Sequence, residues 1–168
     1  GELSYDYLLH AVLMLEQLLS SGGGWQDQAN GIVAGLKTVR SNPSELPLVM
    51  SVEKLDVDPA ILAKFEKRMI LAFTGKTRLA KNILQDVLRR WARRTNEIVT
   101  TVKRLVDLSE ETRAAILQGD LDALGRALHE TSKLKVAMTG EDSGAIPEPV
   151  KKLVAELMER EIIKGASL

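Results

Sequence analysis

The chain has 168 residues, 45% of them hydrophobic, with 23 basic and 23 acidic side chains and a formal net charge of zero. That is enough apolar residue for the core of one compact domain or of a piece of a larger one, while the neutral balance gives no overall pull toward nucleic acid or acidic lipid. The absence of cysteine excludes disulfides and thiolate metal sites, and two histidines as far apart as His10 and His129 argue against a His-based metal cluster.

The first predicted element is an amphipathic helix from Ser4 to Leu19, with Tyr5, Leu8, Leu9, Val12, Leu15 and Leu19 at helical spacing and Ser4 as its cap. Ser20-Ser21-Gly22 stops it. Residues 22 to 28, Gly-Gly-Gly-Trp-Gln-Asp-Gln, are the most informative stretch of the chain. Three glycines leave the backbone free to take conformations closed to other residues, and one carboxylate follows between two amides. Asp27 is either a loop residue that caps a turn or a carboxylate that takes or orients a hydroxyl proton during group transfer; its position alone does not decide. Two extended runs come next, Gly31 to Arg40 and Leu46 to Val57, separated by the turn signal Ser41-Asn42-Pro43-Ser44. Leu48, Met50 and Val52 alternate with their neighbours to give one apolar face, so the pair reads as two antiparallel strands.

Asp58-Pro59 opens a short helix to about Lys67, since proline suits the first turn after an Asp cap. Met69 to Phe73 is a continuous apolar run, short enough for a buried strand. Thr74-Gly75 ends it, and a long helix follows with Leu79, Ile83, Val87 and Trp91 on one face. Asn96, Ser109 and Asp120 look like successive helix caps, Gly119 stops the helix before Asp120, and Pro147 begins a last helix ending near Lys164-Gly165. The sum is a helix-rich α+β chain with few antiparallel strands.

Several constellations invite chemistry. Gly75-Lys76-Thr77 resembles the end of a nucleotide phosphate loop, but the glycine required five residues earlier is Ile70. A milder reading survives: Thr74, Gly75, Lys76 and Arg78 enter a helix where free amides and the dipole favour anions. A purely structural strand-to-helix turn explains them equally well. Arg89, Arg90, Arg93 and Arg94 flank Trp91 as a nucleic-acid surface would, yet cations at a helix end also complement its dipole, and zero net charge favours that second reading. His129 and Lys133 share a helix face; His129 could touch a ligand but reads better as a surface or partly buried side chain. No apolar run reaches the roughly 18 to 20 residues of a membrane span, and the start, Gly-Glu-Leu-Ser, lacks a signal peptide's basic and apolar regions. The expectation is therefore a cytoplasmic protein with no membrane or nucleic-acid partner. The missing initiator Met fits an excised segment.

At Ser-Gly-Gly-Gly-Trp-Gln-Asp-Gln, residues 21 to 28, the chain resembles the sugar kinases of the GHMP superfamily, and most closely the L-fucose kinases. These carry an almost identical string after a helix like Leu-Glu-Gln-Leu-Leu, here residues 15 to 19. A second match is Phe-Thr-Gly-Lys-Thr-Arg-Leu-Ala-Lys-Asn-Ile-Leu-Gln-Asp-Val-Leu-Arg-Arg-Trp, residues 73 to 91; heptose kinases of the same branch share only Thr74, Gly75 and Arg78 of it. The resemblance covers nearly the whole chain, more loosely after residue 95. It implies that Asp27 takes or orients the proton of the anomeric hydroxyl of L-fucose as that oxygen attacks the γ-phosphate of ATP, giving L-fucose 1-phosphate. It also implies Mg²⁺ in the whole enzyme. Trp25 would pack on the sugar, with Gln26, Gln28, Gly23 and Gly24 around it, and Thr74, Gly75, Lys76 and Arg78 would be phosphate or sugar contacts. The lobes implied are part of a catalytic lobe in residues 1–57 and part of a helix-rich C-terminal lobe in residues 58–168. Both Gly-rich phosphate-binding segments of the superfamily are missing, as is an aromatic common near residues 129 to 135. The alternatives are a heptose kinase of the same branch and a non-catalytic helical module derived from a kinase.

Overall fold

A computed structural model describes residues 4–19, 23–42, 44–45, 48–73, 81–140 and 146–167. The chain divides into two compact units, Gly1–Val57 and Asp58–Leu168. The chain is helix-rich α+β: a two-stranded antiparallel sheet lies in the first unit, and the described elements of the second are all helices.

The first unit holds α1 (Tyr5–Leu18), α2 (Gln26–Ile32), β1 (Lys37–Asn42) and β2 (Val49–Lys54). Ser4 caps α1 through its hydroxyl, which accepts from the Tyr7 amide at 3.3 Å. The strands pair from Lys37 opposite Lys54 to Asn42 opposite Val49. This register puts Val39, Met50 and Val52 on one face, packed with Trp25 and Ile32 around the buried Leu9 and Ala29. Arg40 and Glu53 pair at 3.1 Å on the other, as strand alternation dictates. The ring of His10 ties α1 to the start of β2, its Nε2 lying 2.5 Å from the Leu48 carbonyl oxygen and its Nδ1 2.8 Å from that of Asp6. The first extended run differs from expectation, because residues 26 to 32 coil into α2 and β1 begins only at Lys37, after Gly35 turns the chain at φ 87°.

The second unit holds α3 (Pro59–Arg68), α4 (Lys81–Ala92), α5 (Asn96–Gln118), α6 (Leu121–Thr139) and α7 (Glu148–Glu159). The Asp58 carboxylate caps α3 by accepting from the Ala60 amide at 2.7 Å, with Pro59 in the first turn. α5 and α6 form a hairpin closed by Gly119 at φ 68°, after which Asp120 caps α6 through the Ala123 amide (2.8 Å). A side chain at Gly119 would meet Ile61 of α3 besides straining the backbone. Buried Ile98, Leu108, Ala115, Leu124 and Ala127 fill the hairpin, and Arg104 on α5 bridges to Glu111 and to Glu130 on α6.

Three expectations are corrected here. Ser109 does not begin a helix: its hydroxyl donates back to the Val106 carbonyl (2.7 Å), no glycine or proline interrupts residues 96 to 118, and a single helix runs through. The last helix stops at Glu159, short of Lys164, because Glu161 takes a left-handed φ of 55°. Residues 69 to 73 form no strand; they belong to no regular element and are exposed. Beyond α7, Gly165 passes so close to Gly125 of α6 that a side chain on either has no room, a Cβ on Gly125 falling 2.7 Å from that of Lys164.

Candidate functional site

The segment around Asp27 is held at both ends. On the α1 side the Gln17 amide donates to the Gly23 carbonyl at 2.9 Å. On the other side the Trp25 carbonyl accepts the Ala29 amide at 3.0 Å and starts α2 without a side-chain cap. Gly24 is exposed, with the Gln26 amide folded against it, so a side chain there would have to push that amide aside.

Asp27 therefore sits in the first turn of a short helix rather than in a loop. Its carboxylate is exposed, and among the described residues no hydrogen bond or ion pair engages it. A negative side chain in a helix's first turn is favoured by the free amides there. Gln26 is exposed beside it, whereas Gln28 is only 8% exposed and its Oε1 has no hydrogen-bond partner. Trp25 is half-buried against the Leu9, Ala29 and Met50 cluster, so the ring anchors α2 to the unit's core. Thr74, Gly75, Lys76 and Arg78 lie outside the described residues.

The basic cluster on α4 has partners within its own unit. Arg89 pairs with Asp86 at 2.9 Å and Arg94 stacks on the Trp91 ring, 4.2 Å from its centre. Arg90 lies against Gly140 at the C-terminus of α6, where a cation meets the negative end of that helix. His129 overlooks an apolar groove of about 590 Å³ between α6 and α7, lined also by Val136, Val154 and Met158. Burial, and then the charge of Lys133, hold its pKa below the ordinary histidine value. Among the described residues no three His, Asp or Glu side chains gather as a metal site would require, and no helix is long and apolar enough to cross a membrane.

Sequence reasoning did not foresee α2, which is short, begins at an uncapped tryptophan and contains a glycine. The alternation of exposed Asp27 with buried Gln28 and Ala29 is legible only once that helix is known. Among the described residues, then, the Asp27 carboxylate stands exposed and unpaired on a short helix that follows Gly23 and Gly24 and is backed by an apolar cluster.

The comparisons give that arrangement a context, for the chain is fucokinase-like over four-fifths of its length. It is 35% identical over 134 residues (80% of this chain, 13% of the relative) to the bifunctional fucokinase/GDP-fucose pyrophosphorylase of Arabidopsis thaliana. It is 29% identical over 145 residues (84% of this chain, 14% of the relative) to the L-fucokinase/L-fucose-1-P guanylyltransferase of Bacteroides fragilis. The chain thus spans only 13% and 14% of the length of these curated relatives. No family model and no solved structure matches it.

Proposed function

We propose that this chain is a segment of an ATP-dependent sugar kinase of the GHMP type that phosphorylates L-fucose at its anomeric hydroxyl. The observation that carries the reading is the similarity to two fucokinases across four-fifths of the chain. Both relatives bear fucokinase names, which favours fucose over a heptose.

In this reading Asp27 is the base. The anomeric oxygen forms a bond to the γ-phosphorus of ATP, the bond from that phosphorus to the β-bridging oxygen breaks, and ADP leaves. The hydroxyl proton passes to the Asp27 carboxylate and then to solvent, leaving L-fucose 1-phosphate. Phosphoryl transfer asks the protein mainly for positioning and charge neutralisation, and an exposed carboxylate that no other described residue engages suits such a task. Gln26 and Gln28 supply amides on either side of it, with Gly23 and Gly24 lining the approach. Trp25 holds the helix in place and offers the sugar whatever edge the core leaves open. Thr74, Gly75, Lys76 and Arg78 are assigned to phosphate or sugar. Residues 1–57 belong to the catalytic lobe and residues 58–168 to the C-terminal lobe.

The reading assigns Mg²⁺ and the main cradle of the nucleotide to other parts of the enzyme, since neither Gly-rich phosphate-binding segment of the superfamily is found in this sequence. The same reading assigns the reaction to the cytoplasm. In the full-length polypeptide, Asp27→Asn should lower kcat about 10²- to 10⁴-fold while fucose binding and thermal stability stay near wild type. Wild-type turnover in that variant removes Asp27 from the role, and absence of fucose-dependent ADP release in the unaltered full-length protein removes the kinase reading itself.

A further inference from the structure

α3 ends at Arg68, and Met69 turns the chain into extended backbone (φ −97°, ψ 135°). The next residues stand in water: Met69 is 65% exposed, Ile70 90%, Leu71 101% and Phe73 83%. No polar side chain interrupts Met-Ile-Leu-Ala-Phe. Paired as a strand, the segment would turn successive side chains to opposite faces, Met69, Leu71 and Phe73 to one and Ile70 and Ala72 to the other. Both faces are apolar. A strand of that kind belongs inside a sheet covered on both sides, and its free backbone groups invite pairing.

We infer that residues 69–73 are a sheet strand whose neighbouring strands come from a part of the same polypeptide outside residues 1–168. Two facts select that occupant. The segment carries no charge, so it matches an apolar partner and not a nucleic acid or a polar surface. The relatives are about six times as long as this chain, as aligned spans of 134 and 145 residues making up 13% and 14% of them imply, so most of their polypeptide lies elsewhere. A tethered partner has a high effective concentration and outcompetes a second copy, whereas an uncovered apolar strand promotes aggregation.

Hydrogen exchange at the amides of residues 70–73 tests this in the full-length polypeptide and in the 168-residue chain. The expected result is exchange at least about 100-fold slower in the full-length protein, as for core strands, and unprotected exchange in the 168-residue chain. Equally fast exchange in both overturns the inference. So does protection in the 168-residue chain: if it grows with protein concentration, a second copy is the partner; if it does not, the cover lies within residues 1–168. A natural polypeptide with nothing outside those residues also overturns it. As a second measurement, Leu71→Lys should leave the unfolding temperature of the 168-residue chain unchanged and sharply reduce soluble yield of the full-length protein. Unchanged yield counts against the inference.

Discussion

Gln28 is the residue whose environment conflicts most with its chemistry. Its side chain is 8% exposed and its amide oxygen meets no donor, and a buried acceptor left unsatisfied costs about 1–3 kcal/mol. An apolar side chain of similar length removes that cost. Gln28→Met should therefore leave the unfolding temperature of the 168-residue chain unchanged or raise it by a few degrees, while in the full-length enzyme it should raise KM for fucose. Calorimetry and steady-state kinetics read the two effects separately, and a stabilised variant with unaltered kinetics limits Gln28 to packing. The contrast with Asp27, one residue away, exposed and engaged by no other described residue, is what the sequence could not display. The string Trp-Gln-Asp-Gln marks this place in the chain, but which of its polar side chains faces water follows from the short helix, and nothing in the local spacing announces that helix.

At the scale of the element, the caps were the legible part. Ser4, Asp58 and Asp120 each do what their side-chain chemistry permits, taking an amide within the first turn, and Gly119 adopts the left-handed angle that ends α5. Ser109 shows the limit of this reasoning, because a hydroxyl bonds backward within a helix as readily as forward at its start. The α5–α6 hairpin carries a pH signature. Hydrogen bonding from Arg104 holds the Glu130 pKa below its ordinary value of 4.5. A carboxylate with a lowered native pKa stabilises the fold above its unfolded pKa, and that contribution is lost as pH falls through the native value. The difference in unfolding temperature between wild type and Glu130→Gln should thus be present at pH 7 and shrink toward zero well below pH 4.5. Both groups are largely solvated, so the effect is small. The crossing of α6 with the segment after α7 is less forgiving. Gly165→Ala forces a methyl into the Gly125 backbone, and overpacking of this kind costs about 1–3 kcal/mol, measurable as a lowered unfolding temperature.

For the whole molecule, the fold class was readable from composition and periodicity, since long helical repeats dominate and one strand pair carries alternation. The apolar run at residues 69 to 73 was not, because apolar content signals a strand but cannot say whether the rest of its sheet lies within the same 168 residues. Size separates the two units physically. Residues 1–57 bury a small cluster around Leu9, Ala29 and Met50, and a unit that small hides a smaller fraction of its unfolded surface than a larger one does. Expressed separately, residues 58–168 should retain cooperative thermal unfolding by circular dichroism, while residues 1–57 should show a broad, weak transition. We expect the 168-residue chain to turn over no ATP with fucose, since neither Gly-rich phosphate-binding segment of the superfamily is found in it; measurable fucose-dependent ADP release contradicts that expectation.

Ala29, wholly buried two positions beyond Asp27, has a bearing on activity that its own inert methyl conceals. Successive helical residues are turned by about 100°, so the two side chains point nearly opposite ways, and fixing one aims the other. A bulkier residue at position 29 would swivel α2 and misdirect the carboxylate without touching a substrate atom. Directed evolution at Asp27's target ought accordingly to find its strongest modulators on the dry side of this single coil.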